Sequence, residues 1–394
     1  MRTLLFKAGL GNMTKNTFKL PIYLDYQATT PIDQRVLEAM MPYLQDKYGN
    51  PHSVEHSYGW ETEAAIEIAR KQVADLIGAN KDEVIFTSGA TESNNMAIKG
   101  VAFAHHPAKN HIVTVKTEHE CVLASARALE KMGLNVSYLD VDREGLIDLG
   151  ELREAITENT SMVSVMAVNN EIGVIQNLEA IGSICREKSV IFHSDAAQAV
   201  GKTTLSVDAM NIDVMSISGH KIYGPKGIGA LYVRKDTPIL PLFDGGGQEK
   251  GLRSGTLSPA LCVGLGKACD IAKVDMTRDL EHVSSLSKKM LDKISSELNN
   301  FIFNGSRDQR YPGNINFSFS GVKSDLLVAD LKDIAISTGS ACSSAKHKPS
   351  YVLHEIGLSK EDIGSSIRIG IGRMTTEEEI DYAADHIINC VRNL

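Results

Sequence analysis

Lys221 lies in Ser216-Ile217-Ser218-Gly219-His220-Lys221-Ile222-Tyr223-Gly224, a Ser/Gly/His turn that follows a β-branched run. An amine placed there can form an imine with a carbonyl cofactor once desolvation or a neighbouring cation lowers its pKa. Ser218 and His220 of the same turn are within reach of a phosphate. By base rate a single lysine is a solvated surface charge, but this turn and the glycine-rich run behind it weigh against that reading. Lys226 is the competing amine, and its neighbours Pro225 and Gly227 mark its position as a turn.

Three further constellations complement this amine. Thr87-Ser88-Gly89-Ala90-Thr91-Glu92-Ser93 follows a short strand pattern and opens a helical one. The unpaired N–H groups and the positive dipole end of such a helix suit a phosphate, and Thr91 adds a hydroxyl. Taken alone, the segment is equally an ordinary capped strand–helix joint. His193-Ser194-Asp195-Ala196-Ala197-Gln198 closes another strand, where open α/β sheets place their ligands. An aspartate there can pair with a protonated pyridinium nitrogen and keep that ring an electron sink, while Gln198 can bond a ring hydroxyl. The blander reading of Asp195 is a helix cap. Last, Ser337-Thr338-Gly339-Ser340-Ala341-Cys342-Ser343-Ser344-Ala345-Lys346-His347-Lys348 surrounds a thiol with small residues and three basic ones. A buried structural cysteine prefers apolar neighbours. An exposed one beside cations ionises, and the thiolate is the nucleophile. Small residues suit a mobile loop that carries sulfur between sites.

The elements that must position these residues are legible in periodicity. Glu61–Ile77 has helical apolar spacing and stops at Gly78. Short strands at 84–86, 112–115, 136–139, 162–167, 190–193, 214–217 and 228–233 alternate with helices at 91–104, 121–132 and 179–188. Such alternation predicts an α/β fold with a mostly parallel sheet flanked by helices. After Gly245-Gly246-Gly247 the texture changes to a long helical region at 258–298. A strand at 314–319, with Ile315, Phe317 and Phe319 alternating, precedes a closing helix at 376–391. We therefore expect an N-terminal segment (1–27), a large domain (28–259) and a smaller C-terminal α/β domain (260–394) carrying the Cys342 loop.

A chain of 394 residues is long for one core, and its 43% hydrophobic and 23% charged content is that of a globular protein with a sizeable interior. A net charge of −8 argues against general affinity for nucleic acid or anionic membranes. No apolar run approaches the ~20 residues that span a bilayer. Residues 1–19 carry basic residues and no acid, with an apolar run too short for a secretory signal. A transit peptide is one reading of them, set against a poverty in Ser and Arg. A short disordered leader is preferred, with Met13 as an alternative start. The six cysteines form no CxxC pair and no zinc spacing, which fits a reduced, cytoplasmic setting and no bound metal.

Taken together, the sequence resembles the cysteine desulfurases of the NifS/IscS type, a branch of the class V aminotransferases. The likeness covers nearly the whole chain through YLDYQATTP (23–31), FTSGATESNN (86–95), KTEHE (116–120), VNNEIGV (168–174), SGHKIYGPKGIGALYVR (218–234), GGGQEKGLRSGT (245–256), STGSAC (337–342), PSYVL (349–353) and SSIRIGIGR (365–373). It implies the pyridoxal 5'-phosphate fold type I, with Lys221 as the Schiff-base lysine and a homodimer whose active sites lie at the subunit interface. It further implies that Asp195 pairs with the pyridine nitrogen, Gln198 with the ring hydroxyl, and that His119 stacks on the ring and shuttles protons. Phosphate falls to Ala90, Thr91, Ser218 and His220, with Thr256 reaching across from the partner subunit. Asn170 contacts the cofactor, Arg368 and Asn50 hold the carboxylate of L-cysteine, and Cys342 carries the persulfide. The expected activity turns L-cysteine into L-alanine and passes sulfur to an acceptor protein such as an iron–sulfur scaffold, for cluster assembly or tRNA thiolation. A selenocysteine lyase and another class V aminotransferase are the alternatives. Two departures stand out. The Cys342 loop is more basic than the family pattern, with Lys348 where an acid is usual. The chain also ends at Leu394, where scaffold-serving members extend further, so docking through such a tail is expected to be lost or moved to another surface.

Overall fold

The computed structural model describes residues 18–338 and 349–394, so Cys342 and its basic neighbours lie outside the described residues. In chain order the strands are β1 (Ile22–Tyr23), β2 (Val84–Thr87), β3 (His111–Val115), β4 (Asn135–Leu139), β5 (Thr160–Ser164), β6 (Ile191–Asp195), β7 (Val214–Ser218), β8 (Gly229–Val233), β9 (Phe301–Phe303), β10 (Asn314–Phe319), β11 (Ile334–Ala335) and β12 (Ser366–Gly370). The helices are α1 (Gln34–Gln45), α2 (Ser57–Ile77), α3 (Ala90–His105), α4 (Glu120–Lys131), α5 (Leu149–Ala155), α6 (Leu178–Glu187), α7 (Pro259–Glu297), α8 (Ser324–Asp330), α9 (Tyr351–Glu355), α10 (Lys360–Ile363) and α11 (Glu377–Asn393).

Seven strands form the main sheet in the order β2-β8-β7-β6-β5-β3-β4. The pairs β3–β4, β3–β5, β5–β6 and β6–β7 are parallel. β8 runs against both of its neighbours. Its direction follows from the connection at 219–228, which is too short for the crossover that parallel pairing needs. That same connection contains Lys221. The central strands read as continuous apolar runs because both faces are covered. Ile85, Ile112, Met162 and Val214 face a core shared with Met96 and Val101 of α3 and Val122 of α4. Their neighbours Phe86, Val113, Val163 and Met215 face the opposite core, with Val73 of α2 and Ile181 of α6.

Local signals explain the helix bounds. α2 stops at Gly78, which adopts the left-handed conformation (φ 73°) that favours glycine. It starts earlier than its apolar spacing predicts, where His56 accepts from Gly59 N as an N-cap. Pro259 opens α7 at the position where its missing N–H costs nothing. α11 has a reciprocal capping box between Thr376 and Glu379. The 39-residue α7 ties the two halves of the molecule together. Its first half meets α1 and α2 through Arg35–Asp275 and Asp75–Lys273, and its second half meets α11 through Lys289–Asp381 and Lys293–Asp385.

Beyond α7, β12, β10 and β9 form an antiparallel sheet, and β1 pairs in parallel with β11. The polar residues of β10 are as buried as the apolar ones, contrary to what alternation suggests. Asn314 and Asn316 donate to the backbone of Asn169, Asn170 and Glu171, so this polar face is a seam against the loop beyond β5. Among the described residues, no helix is long and apolar enough to cross a membrane.

Candidate active site

The carboxyl ends of β2, β3, β5, β6 and β7 open on one cavity of about 470 Å³. The strand order reverses between β3 and β5, which is where such sheets leave a crevice. Ala90, Thr91, His119, Asn170, Asp195, Gln198, Ser218, His220, Lys221 and Arg368 all line it.

At one end, β2 hands over to α3 through Gly89, an N-cap with φ 146° and no capping side chain. The first-turn N–H groups at Ala90 and Thr91 are therefore left to a ligand. Gly229 makes the approach of β8 possible: a Cβ there would stand 2.4 Å from Ile217 O and 2.7 Å from Gly89 Cα. His220 Nδ1 lies 3.0 Å from the Thr29 hydroxyl. Burial, helped by the charges of Lys221, Lys226 and Lys202, lowers the His220 pKa to about 4, so the ring is neutral at pH 7.

On the far wall, Asp195 is the last residue of β6 and is buried. Its Oδ2 accepts from Asn94 Nδ2 at 2.7 Å and its Oδ1 from Ala197 N at 3.0 Å. His119 caps α4, and its Nδ1 accepts from Cys121 N at 3.2 Å. An Nδ1 that accepts leaves the proton of the neutral ring on Nε2. Cys121 Sγ lies 3.0 Å from the same Nδ1 and 3.2 Å from Asn94 Nδ2.

Lys221 ends the short 3₁₀ turn after β7. Its Nζ donates to Gln27 O at 2.6 Å and Ala28 O at 2.7 Å. Gln198 Nε2 donates to the same Gln27 carbonyl at 2.9 Å. Arg368, on β12, is buried; its Nη1 donates to Asn170 O at 2.9 Å and its Nη2 pairs with Asp25 at 2.8 Å. Its Nε and the Gln27 Oε1 are buried polar atoms without a hydrogen-bond partner. The Arg368 Nε is a buried donor on a residue that lines the cavity, and a polar ligand there would satisfy it. An uncapped helix end, a buried acid, an amine and that unsatisfied guanidinium nitrogen fit pyridoxal phosphate together with a carboxylate-bearing substrate.

Some expected residues stand elsewhere. Asn50 is exposed on the loop after α1, where its Oδ1 accepts from His52 N. Thr256 is exposed just before α7. Neither lines the cavity of the single chain. Cys342 lies outside the described residues, but both chain ends flanking its segment are anchored near the cavity. Ser337 and Arg368 exchange backbone hydrogen bonds of 3.2 and 2.7 Å, and Ser350 Oγ donates to Glu171. Asn94, Cys121 and Gln27 are wall or support residues that sequence reasoning did not single out. Asn94 and Gln27 sit inside quoted motifs, yet only the fold shows which way they face.

The sequence pattern of the family described as "Aminotransferase class-V" matches residues 22–383. Cysteine desulfurase IscS of Rickettsia bellii (strain OSU 85-389) is 57% identical over 385 residues, which cover 97% of this chain and 94% of that protein. The same-named protein of Rickettsia rickettsii (strain Iowa) is 56% identical over 381 residues, 96% of this chain and 93% of its own. Among solved structures, a NifS-like protein superposes with a TM-score of 0.89 at 36% identity, over 95% of this chain and 100% of that one. SspA in complex with cysteine gives 0.81 at 40% identity, over 90% and 100%. With the family pattern spanning nearly the whole chain and relatives above half identity, this protein belongs to the pyridoxal-phosphate-dependent class V aminotransferase family, in its NifS/IscS-type cysteine desulfurase branch.

Proposed function

We propose that this chain binds pyridoxal phosphate on Lys221, takes the sulfur of L-cysteine to leave L-alanine, and holds that sulfur as a persulfide on Cys342. The observation that carries the reading is the shared cavity of Lys221, Asp195, the uncapped α3 terminus and Arg368. Once bound, the cofactor supplies an electron sink for the substrate Cα, which labilises the Cβ–S bond.

The protein residues do the rest. The α3 N–H groups, Thr91, Ser218 and His220 hold the phosphate. Asp195, fixed by Asn94 and Ala197, faces the ring nitrogen as a carboxylate acceptor. Arg368 orients L-cysteine by its carboxylate, and a charge-assisted contact of this kind favours one substrate pose. Lys221, displaced from the cofactor, takes the Cα proton as general base. His119, its Nδ1 engaged by Cys121 N, keeps its ring proton on Nε2 and stacks on the cofactor ring. The Cys342 thiolate attacks the substrate sulfur; an S–S bond forms as the Cβ–S bond breaks, and the bond's electrons stay on carbon, which is protonated to give alanine. Ser337 and Cys342 are five residues apart, a stretch that reaches at most ~18 Å when extended. The sulfur then leaves for an acceptor protein such as an iron–sulfur scaffold.

The second subunit belongs to the same proposal. Leu44, Tyr48, Val54, Tyr58 and Trp60 of α1, α2 and the loop between them are exposed, and the Tyr48 and Tyr58 rings stand 5.7 Å apart. A patch of this kind is rare on a monomer. We assign it to a homodimer contact that brings Thr256 to the phosphate of the other subunit.

Two variants test the chemistry. Cys342→Ala keeps the visible cofactor band and loses sulfide release from cysteine. Lys221→Ala loses the band of the lysine-bound cofactor. Sulfide output surviving in the first, or an unchanged band in the second, overturns the corresponding assignment.

A further inference from the structure

Lys202 belongs to none of the roles above, yet it is among the most buried cations of the molecule. It is 8% exposed and sits in the turn that leaves β6. Its Nζ donates to Gln198 Oε1 at 2.8 Å and lies over the Tyr311 ring, 5.5 Å from the centroid. Among the described residues no carboxylate pairs with it. Lys221 and Arg368 are like charges near it. Lys202 and Lys221 share the wall of a second cavity, of about 20 Å³, with Asp279, Arg373, Tyr223 and Tyr311. Asp279 is paired there with Arg278 and Arg373. A buried amine in this setting is costly unless an anion enters beside it.

The hydrogen bonds say where that anion belongs. An ammonium only donates, so Lys202 holds the oxygen of the Gln198 amide and leaves the NH₂ for other acceptors. That NH₂ donates to Gln27 O, the carbonyl that also holds Lys221. Lys202, Gln198, Gln27 O and Lys221 thus form one chain of contacts leading from the small cavity to the large one.

We propose that Lys202 is a positioning residue that acts through Gln198. It fixes the amide as a donor toward the cofactor's ring oxygen and supplies the positive charge complementing that oxygen. This rests on the reading that Lys221 carries the cofactor. Burial, followed by the charges of Lys221 and Arg368, pulls the Lys202 pKa down to about 7, so arrival of an anionic cofactor favours its charged form. While it is charged, Lys202 favours the more negative, deprotonated state of a group titrating beside it.

The test is a pH titration of the visible cofactor absorbance in substrate-free holoenzyme, with far-UV circular dichroism as the check on folding. Removing the charge in Lys202→Met is expected to raise the midpoint by roughly one pH unit. Lys202→Gln keeps a donor for Gln198 but no charge, and shows a smaller rise than Lys202→Met. Lys202→Arg stays near the wild-type midpoint. Folded Met and Gln variants with the wild-type midpoint overturn the proposal. So does loss of folding in both, which makes Lys202 a structural residue. The Lys221→Ala control separates the two readings. A band that persists in it discredits Lys221, whereas a band that needs Lys221 but ignores Lys202 discredits only the present inference.

Discussion

Glu118 lies fully buried one residue before His119, and its Oε1 accepts from Met166 N at 2.6 Å while Oε2 has no hydrogen-bond partner. Burial is the main cause that pushes its pKa well above the ordinary 4.5, with Asp195 adding to the rise. The sign of the effect on stability follows. The folded state keeps a proton that the unfolded state loses above about 4.5, so this group's contribution is complete at low pH and falls as pH rises toward the folded pKa. Glu118→Gln keeps the acceptor for Met166 N and removes the titration. Its melting temperature should exceed wild type by more at pH 8 than at pH 5; an equal gap at both pH values means that Glu118 is charged in the native protein. At this scale much of the site was legible. Lys221, Asp195, Gln198 and the residues around Thr91 were singled out by turn chemistry and position after strands, and the fold brings them to one cavity. Asn94 was not, because a polar residue inside a helix gives no sign of facing an aspartate 101 positions away. Asn170, Arg368 and His119 carried no local signal either, and came only through the family resemblance.

At the scale of elements, the α3 end of the cavity, proposed to take the phosphate, depends on three backbones packed closely. Gly229→Ala drives a Cβ into Ile217 O and Gly89 Cα, both backbone and unable to rotate away. The shift disturbs the first turn of α3 and should weaken pyridoxal phosphate binding to the apoenzyme about tenfold or more, ~1.4 kcal/mol. Gly364→Ala is the control, because its new Cβ meets nothing nearer than 3.4 Å. Equal cofactor affinities in an absorbance titration of the two would remove Gly229 from this role. Strand and helix positions were read well where periodicity or a glycine stop was strong, as at α2 and Gly78. The reversed direction of β8 was not read, although the short connection at 219–228 that dictates it is visible in the sequence. The buried polar face of β10 was missed because alternation predicts solvent where this molecule places its own loop.

For the whole molecule, the proposed homodimer makes a counting prediction. Mixed dimers of Lys221→Ala and Thr256→Asp chains contain one site with an intact lysine facing an intact threonine. Random exchange makes half the dimers mixed, so activity should return to about a quarter of wild type from two nearly inactive parents. No recovery on confirmed subunit exchange would place Thr256 away from the partner's site. The exposed apolar patch on α1 and α2 was not singled out in the sequence, because helical spacing reports an apolar face without saying whether anything covers it.

The backbone bonds between Ser337 and Arg368 have a mechanical consequence. The backbone of Arg368, the residue proposed to hold the substrate carboxylate, and the root of the segment bearing Cys342 are stitched together. Any drift of β12 against the main sheet carries both together, so their mutual registration survives the drift. Under the proposed function, the sulfur carrier is thereby indexed to the substrate's carboxylate, and an aminothiol lacking that carboxylate offers the carrier no datum from which to find its sulfur.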